Sequence, residues 1–290
     1  MKNSILIAGL FLSGFVFPNP GQAQTAFDSV KISVMEEGKR LYFSELASWY
    51  ATEILKSKHK AIAKKTGGGF SYQNNDEIIS VFYNRDEEPK IIFSVRFNQN
   101  FNREQAITDL QSRSFSQLEE SYYQIQLKTI ELVNTDQRFC LYKDADLHII
   151  PVINGELKKV YVMAAPRFEG AIVFGNDYLL SFDKNSELRG LKAIHQSIIP
   201  VEYGVNNVYN SSEIAATAHE HGEGTDELIS ATDICNLFLY QKFTNWKQHM
   251  VIGKDLVSIW NCSTSDFRTL KKSEFQNYQA LAKQRNEGRR

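Results

Sequence analysis

Two histidines one residue apart, His219 and His221, precede the step Ser230-Ala231-Thr232-Asp233 by eight residues, giving the pattern H-x-H-x8-S-x2-D. This pattern constrains the local fold more than any other stretch of the chain. Side chains at i and i+2 of an extended segment lie on one face, so the two imidazoles point the same way and can share a metal ion. Asp233 supplies a possible third ligand. Three protein ligands would leave the fourth tetrahedral position to water, the arrangement of a catalytic rather than a structural zinc. The Ser230 hydroxyl, just ahead of the helix expected to carry Asp233, would donate to the oxyanion formed when that water attacks a carbonyl.

Each residue also has a reading without catalysis. Ser230-x-x-Asp233 before the apolar Ile234, Leu237 and Phe238 is a helix-capping signal, which is compatible with metal binding. The histidines could instead sit in a solvated loop, since Gly222, Gly224, Glu220, Glu223, Asp226 and Glu227 surround them in sequence.

The segment resembles the JAMM/MPN-domain metalloproteases, whose signature is a glutamate on an earlier strand, then H-x-H-P, seven residues, and S-x-x-D. Residues 223–229 supply the seven, and Gly222 stands where the family has proline. The resemblance implies a β-sheet flanked by helices, a zinc ion on His219, His221 and Asp233, and cleavage of peptide or isopeptide bonds. It also implies a glutamate as general base. Glu169 is the first choice, because Glu169-Gly170-Ala171-Ile172-Val173-Phe174-Gly175 is similar to the family's E-x-x-G-x-L-x-G strand, one residue shorter. Glu187 and Glu202 are the fallbacks. His195, on the second strand of the expected hairpin, reads as a structural histidine, and His59, His148 and His249 receive no role.

The N-terminus reads as a secretory signal peptide over residues 1–23: a basic start at Lys2, an apolar run from Ile5 to Phe17, and the small-x-small step Gly21-Gln22-Ala23. The run is too short for a membrane span, and no later segment is apolar enough for one, so an exported protein, periplasmic or secreted, is expected. The chain's net charge of −1 becomes −2 without Lys2, with both signs interspersed, which is no nucleic-acid footprint. Cys140, Cys235 and Cys262 allow at most one internal disulfide and form no zinc motif.

The expected class is α+β. Residues 24–165 should form a smaller accessory region, and residues 166–290 a JAMM-like domain with a polar tail. An amphipathic helix is expected over 36–62, with Gly67-Gly68-Gly69 ending it as a flexible connector. A hairpin follows over 78–95, then a helix near 115–133, then strands near 138–142, 147–153 and 158–164, the last two joined at Asn154-Gly155. In the second region a continuous strand over 171–182 should turn at 183–185 into a strand ending near Pro200. The His-x-His strand, the Asp233 helix and a strand near 256–262 complete it.

Three functions fit this reading. The first is an exported zinc-dependent peptidase or isopeptidase acting on a protein or peptide. The second is a non-catalytic binding module of JAMM-like fold, and the third an envelope protein that captures metal adventitiously.

Overall fold

The computed structural model describes residues 23–98, 100–195, 197–203 and 216–287. The expected signal peptide therefore lies outside the described residues, except Ala23. In chain order the elements are α1 (Ala23–Lys58), α2 (Lys60–Ala63), β1 (Thr66–Asn74), β2 (Glu77–Asn84), β3 (Ile91–Asn98), β4 (Ile107–Asp109), α3 (Gln117–Thr135), β5 (Ala145–Asn154) and β6 (Leu157–Pro166). Then come β7 (Ala171–Gly175), β8 (Tyr178–Phe182), β9 (Leu188–Ala193), β10 (Ile198–Glu202), β11 (Ala216–Glu220), α4 (Ala231–Tyr240), β12 (Gln248–Ile252), β13 (Leu256–Asn261), β14 (Asp266–Lys271) and α5 (Lys272–Glu287). The class is α+β.

The chain forms two compact units that are discontinuous in sequence. One contains the described residues up to Gly38, then Ala164–Asp177 and Ala193 onward; the other contains Lys39–Met163 and Tyr178–Lys192. The expected boundary at 165/166 falls inside β6, and the start of α1 and the β8–β9 hairpin belong to the opposite units from those expected.

In the unit with the H-x-H motif, β11 and β12 run parallel, connected through α4, and β13 and β14 extend that sheet antiparallel. A parallel pair needs a crossover connection, and the apolar face of α4 supplies it. Ile234 and Leu237 are fully buried with Ile172, Phe174, Val251 and Trp260 in the core. The small two-stranded sheet of β7 and β10 contributes Ile172 and Phe174 to this core. Gly38 of α1 lies against α4 so closely that a Cβ there would stand 2.5 Å from Ile234 Cγ2 and 3.1 Å from the Ala231 carbonyl oxygen.

The other unit holds the four-stranded sheets β1-β2-β3-β4 and β5-β6-β8-β9. The expected 78–95 hairpin is β2–β3, but Gly67-Gly68-Gly69 is no loose connector. All three glycines lie in β1, paired with β2, where a Cβ on Gly68 would come within 2.3 Å of Tyr83 Oη. Their role is close approach, not flexibility. α3 begins with a capping box in which the Ser116 hydroxyl accepts from Glu119 N and the Glu119 carboxylate accepts from Ser116 N. No strand forms over 138–142, and α5 extends through part of the expected polar tail.

Because Gly38 seats α1 against the helix that carries Asp233, Gly38→Val should destabilise the protein by about 1–3 kcal/mol through overpacking. Urea unfolding checks this, the expected result being a lower midpoint with an unchanged slope.

Candidate metal centre

β11 ends in the H-x-H motif. His219 is its fourth residue, and the ladder continues one step further, with His221 N donating to the Ile252 carbonyl at 2.9 Å. Both imidazoles therefore fall on one face, with ring centroids 5.2 Å apart. They are buried, at 3% and 8% residue exposure, so the solvated-loop reading is corrected: Glu220, Glu223 and Asp226 are exposed while the histidines turn inward.

Asp233 enters from the first turn of α4 and is fully buried. Its Oδ2 accepts from Ser230 N at 2.9 Å and from the Ser230 hydroxyl at 2.8 Å, while Asp233 N donates back to Ser230 Oγ at 3.0 Å. The capping box and the candidate site are thus one structure, in which Ser230 Oγ lies 2.8 Å from the Asp233 carboxylate and 2.9 Å from Thr232 Oγ1.

A fourth donor joins these three. His195 Nε2 lies 3.0 Å from His221 Nε2 and 3.4 Å from Asp233 Oδ1. His219 Nε2 is 3.4 Å from the same Oδ1, and His221 Nε2 is 3.4 Å from Oδ2. One ligand atom from each of His195, His219, His221 and Asp233 lies within 4.8 Å of every other, and the four side chains can hold a metal ion. Donors about 2.0–2.1 Å from a tetrahedrally held ion stand about 3.3–3.4 Å from one another, close to most of the short separations here. His219 Nε2 and Asp233 Oδ1 are also buried with no hydrogen-bond partner, although they face each other. Orphaned buried polar atoms are costly, and a cation between them would satisfy both.

His195 comes from an interruption in the expected long hairpin. Its first strand is not continuous over 171–182: it breaks at Gly175, Asn176 and Asp177, where Gly175 and Asn176 take left-handed φ values of 85° and 57°. β7 then pairs with β10, and β8 joins the other sheet. A Cβ on Gly175 would lie 2.0 Å from the Ser197 carbonyl oxygen, so only glycine fits the break. The break directs Asp177 inward, where Oδ2 accepts from His195 Nδ1 at 3.1 Å, Oδ1 accepts from Ala164 N at 3.1 Å, and Thr232 adds a side-chain hydrogen bond. His195 is therefore corrected from structural residue to member of the cluster.

His249, given no role from sequence, braces His219. Its Nε2 is 3.0 Å from His219 Nδ1, and its Nδ1 is 2.8 Å from Thr217 Oγ1. Metal binding through His219 Nε2 requires the tautomer in which His219 Nδ1–H donates to His249 and His249 Nδ1–H donates to Thr217. Phe174 stacks on both rings, at 5.2 Å from His219 and 4.5 Å from His249. His221 is oriented by donation from its Nδ1–H to the Asp226 carbonyl at 2.7 Å. Every candidate ligand thus has an outer partner.

Electrostatics follow this packing. Burial pushes His219 well below its ordinary pKa and His249 down to about 4. Burial also opposes charge on His195, but Asp233 and Asp177 outweigh it and raise that imidazole to about 10. Burial would raise Asp233, yet His195 and His219 hold it well below the usual carboxylate range. Burial also raises Asp177, and a metal ion binding at His195 must displace any proton on its Nε2.

Glu169 does not reach the cluster. It is exposed in the turn before β7, because Gly170, at φ 88°, turns the chain there while all five β7 residues are buried. Glu187 forms an exposed ion pair with Lys128 at 2.7 Å, and Glu202 is exposed at the end of β10. Among the described residues, no glutamate belongs to the cluster. His195 and Asp177 were missed because their partners are distant in sequence; the local signal was Gly175-Asn176-Asp177 inside a supposed strand. Cys140, Cys235 and Cys262 form no disulfide. No family model, curated protein or solved structure matches the chain.

The outer partners should matter for affinity: Asp177→Asn and Thr217→Val are each expected to weaken metal binding about 10–100-fold with the fold retained. Competition against a chromogenic chelator measures this, and unchanged affinity in both variants would contradict the assigned hydrogen-bond chains.

Proposed function

We propose that the chain is a zinc-binding protein of JAMM-like arrangement, with the ion held by His195, His219, His221 and Asp233, and that the centre stabilises an exported, non-catalytic binding module. The observation that carries this reading is His195 Nε2, which stands at ligand spacing from His221 and Asp233 and offers a fourth protein donor beside the three of the H-x-H and Asp233 motif. Three imidazoles and a carboxylate, all buried and each oriented by a second group, suit zinc, which takes N and O donors in tetrahedral geometry. The absence of glutamate from the described cluster and the turning of the Ser230 hydroxyl toward Asp233 support the same reading. Export rests on the N-terminal sequence pattern alone. Among the described residues no helix is long and apolar enough to cross a membrane.

A second reading is the zinc-dependent peptidase or isopeptidase-like hydrolase. It is favoured by the meeting of His219, His221, Asp233 and Ser230, the residues the JAMM resemblance implies apart from its glutamate, at the junction of β11 and α4. Zinc would there supply the Lewis acidity that brings the pKa of water toward neutrality. His195, oriented by Asp177, would then accept a proton in place of Glu169.

Purified protein dialysed against a weak chelator should retain one zinc per chain, and His221→Ala and Asp233→Ala should abolish retention and lower the melting temperature. His195→Ala separates the readings. A closed centre predicts zinc held more weakly, a lower melting temperature, and acetohydroxamate binding to the zinc-loaded variant but not to the wild type. A hydrolase predicts acetohydroxamate binding to the wild type, with His195→Ala keeping zinc and losing peptidase activity. No retained zinc in the wild type would overturn both.

A further inference from the structure

A cavity of ≈ 260 Å³ lies wholly within the unit formed by Lys39–Met163 and Tyr178–Lys192. Arg40, Phe43 and Ser44 reach it from one face of α1 at i, i+3 and i+4 spacing, opposite Ser71–Gln73 of β1, Pro151–Asn154 of β5 and Tyr122 of α3. Arg40 is the only charged residue lining it. The half-buried guanidinium forms no ion pair or hydrogen bond among the described residues, and it acts electrostatically on the Tyr122 hydroxyl.

Tyr122 supplies a second convergent donor. It is 3% exposed, and its hydroxyl oxygen accepts from Ile153 N at 3.2 Å, while its own proton has no acceptor among the described residues. Tyr72, by contrast, donates to Glu119 at 2.9 Å, and that carboxylate is neutralised by Arg113 at 2.7 Å. No negative charge therefore enters the cavity to balance Arg40. The remaining wall is mixed, with Phe43, Ile78 and Pro151 beside Ser44, Gln73, Asn75 and Asn154, so it offers apolar contact for the body of a ligand as well as hydrogen bonds around an anionic head.

We infer that this cavity binds a small carboxylate with an apolar or aromatic body, its carboxylate taken by the Arg40 guanidinium and the Tyr122 hydroxyl. A planar guanidinium accommodates a carboxylate through two parallel hydrogen bonds, and a buried phenol proton adds a third. The site is separate from the metal centre and does not rest on its assignment.

The test uses the full chain with 3-phenylpropionate, its uncharged amide and inorganic phosphate, followed by calorimetry and by chemical shifts of Ser44, Tyr122 and Asn154. The acid should bind at least tenfold more tightly than either the amide or phosphate and should shift those three residues. Arg40→Gln, a change at a half-exposed helix position, should reduce acid binding to the level of the amide, whereas Arg40→Lys should keep part of it. Equal binding of acid and amide, tighter binding of phosphate, no binding at all, or unchanged affinity in Arg40→Gln would each overturn the assignment.

Discussion

The unit with the H-x-H motif is organised around a carboxylate that cannot reach water. Asp233 is fully buried, and an ionised side chain there requires compensation by hydrogen-bond donors and positive charge. One oxygen is satisfied locally by the Ser230 backbone and hydroxyl at the start of α4, where the helix dipole also favours an anion. The other oxygen is left to the imidazoles. This division explains why three histidines from two segments converge on a single helix start. The same helix is also fixed by the Asn236 side chain, which donates to the Val173 carbonyl at 2.8 Å, and by Ile234, which packs beneath Gly38. Displacing α4 would therefore disturb the core and the cluster together.

The break between β7 and β8 is the second requirement. A continuous strand would present alternate side chains to two faces. The left-handed residues Gly175 and Asn176 end the pairing, and the carbonyl of Asp177 accepts from Ile194 N at 2.8 Å, bringing the two segments back together beside the cluster. Backbone irregularity of this kind tends to occur at functional sites because it aims side chains that regular pairing would not.

What could be read from the sequence divides by range. His219, His221 and Asp233 were legible because their placement depends on local rules: a period of two along a strand and a capping box over one helical turn. The β2–β3 hairpin and α3 were legible for the same reason. His195, Asp177 and His249 were not, since each acquires its partner through strand pairing or helix packing across 18 to 32 residues. Glu169 illustrates the opposite error, in which a family-like string precedes a real strand but a glycine turn carries its acidic residue into solvent. Gly67-Gly68-Gly69 misled because a run of glycines gives the same composition whether it serves flexibility or close strand approach, and only the partner strand distinguishes the two.

The two units also treat buried charge differently, and this bears on function. At the candidate metal centre, the anions and imidazoles are matched to one another except for the facing atoms His219 Nε2 and Asp233 Oδ1, which a cation between them would satisfy. In the other unit, the buried Glu119 is matched by Arg113, Tyr72 and Ser116, which hold its pKa down to about 2, and the buried Lys158 ammonium donates to the Lys184 carbonyl and the Ser121 and Ser186 hydroxyls, whereas the half-buried Arg40 beside the cavity has no such acceptor among the described residues. The cluster thus gathers buried donors that can hold a metal ion, whereas the cavity presents a positive charge and a phenol proton that an anion would satisfy.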